Sequence, residues 1–185
     1  MRFLILSITH TKGLSIKKRA KYYADGDFFS YAFAMVPSVI FRGARLVVAL
    51  LRFLDPIILR SKRFASVFET YKPALVFVTD LQNEMDVRLL EEAKARGVKN
   101  IGMLRSWDNV SSKGLLRAIP ETVLVHNDIL RDGLVNQNHV NPSRVVEVGI
   151  PHYDLYFKPH PTDRETFFKA IGLQVEKPLI LFAPI

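Results

Sequence analysis

With 185 residues, 49% of them hydrophobic and 24% charged, the chain is long enough for one sizeable core or one domain plus part of another, and its composition is globular, not disordered. It contains no cysteine, which excludes disulfides, thiolate metal sites and cysteine nucleophiles and fits a cytoplasmic setting. The net charge is +8, and the basic excess lies early: residues 1–72 hold 13 Lys+Arg against 4 Asp+Glu, whereas residues 73–185 hold 13 against 14.

The chain opens with MRFLILSITHTKG, whose apolar stretch of about seven residues predicts a strand at 2–8. It is short for a signal peptide and has no small-residue cleavage site. Residues 30–60, SYAFAMVPSVIFRGARLVVALLRFLDPIILR, carry Arg42, Arg45, Arg52 and Arg60 among aliphatic and aromatic residues. No window of about 20 residues there is both apolar and uncharged, so a membrane span is excluded. Two readings remain for the basic, apolar segment at about 14–72: core helices with solvated arginines, or a surface that rests on anionic lipid. Nucleic acid fits poorly, because the cations alternate with Leu, Val and Ile and not with stacking aromatics.

From residue 74 the texture alternates. Apolar runs at 74–79, 100–104, 122–126 and 145–148 predict strands whose starts lie 22–26 residues apart. Helical patterns at 82–96 and 128–138 separate them, the first with Thr79 and Gln82 placed for a capping box, the second with Asn127 as N-cap. The expectation is α/β with a Rossmann-like parallel sheet, and the continuously apolar strands suit a sheet covered on both faces. After Gly149, IPHYDLYFKPHPTDRE reads as a linker. A short helix follows at 163–172, with Phe167 and Ile171 on one face. A further strand, 179–183, reads as the start of a C-terminal domain that is itself missing. Domain 1–150, linker and helix 151–177, and the beginning of a further domain at 178–185 are the boundaries expected.

In open parallel sheets ligands bind outside the carboxyl ends of the strands. That rule selects Thr79–Asp80, Arg105–Gly114, His126–Asn127 and Gly149–Asp154. The second cluster is the richest. Asp108 is a candidate general base. Arg105 and Lys113 can neutralise phosphate, Ser111 and Ser112 can donate to it, and Trp107 and Asn109 complete the group. The bland alternative is an Asx turn at Asp108–Asn109 with Trp107 in the core. Asp80 and His126 are the neighbouring strand-end candidates, with capping and structural roles as their alternatives. No GxGxxG or GxxxxGK[ST] loop is present, so dinucleotide and P-loop readings fail, and no metal cluster or cofactor is expected.

SWDNVSSKG (106–114) together with VGIPHYDLYF (148–157) resembles a bacterial group of GT-B-fold proteins of cell-envelope polysaccharide synthesis, the CDP-glycerol glycerophosphotransferases. There, one strand ends in a T-W-H-G-T-P-L-K type motif and a later one in G-Y-P-R-N-D. Trp107 matches the tryptophan, Lys113 falls near the lysine, and Gly149, Pro151 and Asp154 match the second motif at the hinge between domains. Asp108 stands where that family has the histidine proposed as base. The resemblance covers about 73–185. It implies the N-terminal, acceptor-side domain of a GT-B transferase, inactive as this length of chain alone. Its partners would be a nucleotide-activated donor held by a C-terminal domain and a membrane-associated acceptor, and its place the inner face of the plasma membrane. UDP-sugar 2-epimerases share the architecture and stay open, as does a non-catalytic module that docks on membrane or a partner. KPHP (158–161) lies in the linker, ahead of where the family carries its Pro-His motif, and reads as a decoy.

Overall fold

The computed structural model describes residues 11–23, 26–41, 44–58, 63–159 and 162–182. They fall into two compact units that divide between Gly149 and Ile150. The strand expected at 2–8 lies outside the described residues.

In the first unit four helices precede the sheet: α1 (Lys12–Lys18), prolonged by a π-helical turn Arg19–Tyr23, α2 (Phe28–Ile40), α3 (Arg45–Ile58) and α4 (Ala65–Tyr71). Then come β1 (Leu75–Val78), α5 (Glu84–Ala95), β2 (Lys99–Met103), α6 (Asn109–Ser112), β3 (Thr122–Val125), α7 (Asp128–Asn138) and β4 (Val145–Glu147). The strands pair in the order β1-β2-β3-β4, all parallel, so the architecture is α/β with a Rossmann-like sheet. Each crossover steps one place in the same direction. Because such crossovers are right-handed, α5, α6 and α7 are carried to one face.

The core lies on that face. Val78, Gly102, Val123 and Val145 are in register across the four strands and all are buried. Against them pack Val87, Leu90 and Ala93 of α5, Val110 of α6, and Leu130 and Leu134 of α7. Each of these valines and leucines contributes roughly 1.5–3 kcal/mol on burial. Leu81 lies directly over Gly102, where a Cβ would collide with it. The opposite face carries Leu75, Phe77 and Val146, which are exposed, and Ile101, Met103, Thr122 and Leu124, which are half-buried. The expectation of equal cover on both faces is therefore corrected among the described residues. The strands alternate in burial, but both faces are apolar, so the sequence reads as a continuous apolar run.

Helix α5 starts later than the proposed capping box. Its N-cap is Asn83, whose Oδ1 accepts from the Met85 amide at 2.8 Å. Asn127 caps α7 as expected, accepting from Leu130 N at 3.0 Å, and α7 ends on His139 in the left-handed conformation. Helix α3 is tied to the β2–β3 connection by a buried ion pair. Arg117 donates through Nε to Oδ2 of Asp55 at 2.9 Å, its Nη2 stands 2.8 Å from the same oxygen as an ion-pair contact, and Asp55 has no exposed surface. Arg117 also pairs with Glu84 at the start of α5. Asn138 accepts from the Leu116 amide at 2.6 Å and fixes the same connection from the other side.

In the second unit the expected linker contains a 3-10 helix, Pro151–Phe157, followed by α8 (Arg164–Ala170) with Asp163 as N-cap. Phe168, not Phe167 or Ile171, is its buried residue, covered by the Arg164 guanidinium 4.1 Å above the ring. The strand expected at 179–183 does not form over its described part. Residues 179–182 are exposed, and no strand among the described residues pairs with them.

Candidate functional site at the carboxyl edge of the sheet

Three strand ends of the first unit place polar groups at one edge. Beyond β1, the Asp80 side chain closes a turn by accepting from Gln82 N at 3.1 Å, while its own amide donates to Asp86 at 2.8 Å. Beyond β2, Arg105 reaches across and pairs with Asp80 at 3.8 Å, leaving most of its own side chain in solvent. Beyond β3, His126 is half-buried, and its Nδ1 is enclosed with no hydrogen-bond partner. No hydrogen bond or ion pair joins His126 to the other two among the described residues. Gly149 closes β4 at φ 73°, a conformation that favours glycine. Pro151 and Asp154 belong to the second unit.

The loop 105–114 is built on α6 and is firmly held. Gln82 Nε2 donates to the carbonyls of Asn109 (3.2 Å) and Gly114 (3.1 Å), spanning both ends of the turn. Thr11 Oγ1 donates to the Ser111 carbonyl, and Gly13 lets α1 approach so closely that a Cβ there would stand 2.7 Å from that oxygen. On the far side Gly133 of α7 gives room to Val110. Gln82, Thr11 and Gly13 escaped sequence reasoning. Their role depends on which loop the fold brings against them, and only the glycine hints at a close approach.

At the centre is Asp108. Ser106 Oγ donates to its Oδ1 at 2.6 Å and Ser112 Oγ to its Oδ2 at 2.5 Å. These two bonds hold its pKa below the usual carboxylate range, with Lys113 and then Lys17 adding to the effect. The carboxylate is therefore ionised at neutral pH, and its two serines fix its direction. Asn109 is completely buried, with neither side-chain atom hydrogen-bonded. Such an orphan amide is costly and marks a place where a further polar group belongs. Trp107 is not in the core: it is 75% exposed. Ser111 and Lys113 also face solvent.

The loop thus presents an indole and two cations to solvent around a fixed carboxylate, an arrangement able to stack on a sugar or polyol and to hold phosphate. The described residues contain no group of side chains able to hold a metal ion. No family model matches the chain, and no curated protein or solved structure matches it significantly.

Proposed function

We propose that the protein is a transferase on the GT-B plan, which moves a phosphoglycerol or sugar unit from a nucleotide-activated donor to a phosphate-bearing acceptor at the membrane. The observation that carries this reading is the exposed Trp107 on a pinned loop with Arg105 and Lys113. An indole 75% exposed has no part in the core, and the two cations of the same loop suit an anionic ligand. In this scheme Trp107 covers the acceptor, Lys113 and Arg105 neutralise its phosphate, and Asp108 takes the proton from its attacking hydroxyl. The resemblance assigns the nucleotide to a C-terminal domain. Trp107 is the sole tryptophan, so its fluorescence reports on this loop alone. Titration with glycerol 3-phosphate at constant ionic strength should give a saturable change that glycerol does not give. Lys113→Ala should weaken it about tenfold or more, the usual loss for a charge-assisted contact. Equal responses to both compounds would refute the assignment.

A second reading, docking on the membrane surface, draws on α2 and α3. Phe29, Phe33, Val36 and Ile40 repeat along one side of α2, and Leu46, Leu50, Phe53 and Ile57 along one side of α3, at the same spacing. All eight are exposed. No helix of the described residues is long and apolar enough to cross a membrane, so an interfacial role suits them better. Arg45 is exposed beside the α3 stripe, whereas Arg52 turns inward and is unsuited to lipid contact; Arg42 and Arg60 lie outside the described residues. Phe53→Glu should weaken binding to phosphatidylglycerol-containing vesicles about 10- to 100-fold, the worth of one buried aromatic. Unchanged sedimentation of that variant would remove α3 from the interface.

A further inference from the structure

A second cationic cleft lies at the opposite edge of the sheet. Its walls are α3, the last turns of α5, the segment entering β3 and the residue entering β4. It has a volume of about 390 Å³, within the range of small-ligand pockets. Arg52, Lys94, Arg117 and Arg144 line it, with Glu91 as the single acid. Arg117 is committed to Asp55 and Glu84. The other three have no carboxylate salt bridge among the described residues. Arg52 spends Nε on the Leu116 carbonyl at 2.9 Å, and its Nη2 is enclosed with no partner. Lys94 donates to the Ile119 carbonyl at 3.1 Å. Arg144 is exposed, and its side chain makes no hydrogen bond among the described residues. Glu91 is taken up by Arg88, whose Nη1 donates to its Oε2 at 2.6 Å.

We propose that this cleft is an anion site, in which Arg52, Lys94 and Arg144 together hold a phosphate group. An enclosed guanidinium nitrogen without a partner is expensive to bury, and an anion in the cleft would supply the missing acceptor. The repulsion that Arg144 and Arg52 exert on Lys94 points the same way. Burial pulls Arg52 down to about 10. The pKa of Lys94 is lowered first by burial and then by the charge of Arg144; Glu91 pulls it back up, and Arg52 adds a smaller push down. A phosphate among the three would relieve that repulsion. Phosphate monoesters on soluble molecules and on lipid headgroups share this chemistry.

The probe is inorganic phosphate, followed by the melting temperature against chloride at equal ionic strength. The wild-type protein should gain a saturable rise, because a ligand of the native state stabilises by mass action. Arg144→Gln touches no hydrogen bond of the fold and should weaken the apparent affinity about tenfold or more. Lys113→Ala at the carboxyl edge should leave the rise intact, so this site and the proposed acceptor site fail separately. No rise over chloride, or a rise unchanged in Arg144→Gln, would overturn the proposal. Vesicles identify the source. Preference for phosphatidate over phosphatidylglycerol that Arg144→Gln abolishes assigns the cleft to a lipid monoester headgroup, and equal binding to both lipids assigns it to a soluble phosphate.

Discussion

Arg117→Met should cost about 3–5 kcal/mol of unfolding free energy, the usual penalty for breaking a buried ion pair from one side. Asp55 has no exposed surface, and Arg117 supplies the hydrogen bond and the ion-pair contact to its Oδ2. Removing the guanidinium strands the carboxylate in the interior and frees the Glu84 contact at the start of α5. The double variant Asp55→Leu/Arg117→Met should recover most of the loss, since replacing both partners by apolar groups removes the unpaired charge. Urea denaturation of the three proteins measures this. A single variant within 1 kcal/mol of wild type would show that the pair does not hold α3 to the sheet. Nearby, Glu91 makes a pH-dependent contribution of its own, with burial as its first cause. Its folded pKa is raised, so its contribution is full below the ordinary carboxylate pKa and is lost as pH rises through the folded value.

The second large effect concerns turnover. On the proposed transferase reading, Asp108→Asn should cut transfer about 10²–10⁴-fold, the range for loss of a general base. The fold should survive, because Asn can still accept from one serine and donate to the other, so Ser106 and Ser112 keep partners. The depressed pKa of Asp108 adds a condition. The group stays ionised through neutral pH, so this residue should produce no fall in rate until the medium is acidic, below the ordinary carboxylate range. Its stabilising contribution follows the same sign, present above the unfolded pKa and lost as pH falls through the folded one. Wild-type turnover with an unchanged melting temperature would remove Asp108 from the chemistry.

The sheet and the two longer helices, α5 and α7, are legible because strand length, helix length and Gly or Asn punctuation agree there, whereas the one-turn α6 carries no such pattern. What the sequence hides is sidedness. Phe77 and Val78 look alike as letters, yet one faces solvent and the other the core. Trp107 reads equally as core or rim, and only the path of the loop decides. The anchors of that loop, Gln82, Thr11 and Gly13, lie about 25 to 100 residues away in sequence, so no local pattern marks them. Arg52 shows the same limit. Among four arginines spread through an apolar segment, nothing in the spacing tells which one turns inward to bind the Leu116 carbonyl.

Whether the carboxyl edge is the working site is tested most directly by amide chemical shifts of the labelled protein titrated with glycerol 3-phosphate. The amides of residues 105–114 and of Asp80–Gln82, tied to them through Arg105 and Gln82, should move together and saturate, and Lys113→Ala should weaken that response. Amides 105–114 that stay still while others shift, or shifts in them indifferent to Lys113→Ala, would contradict the assignment.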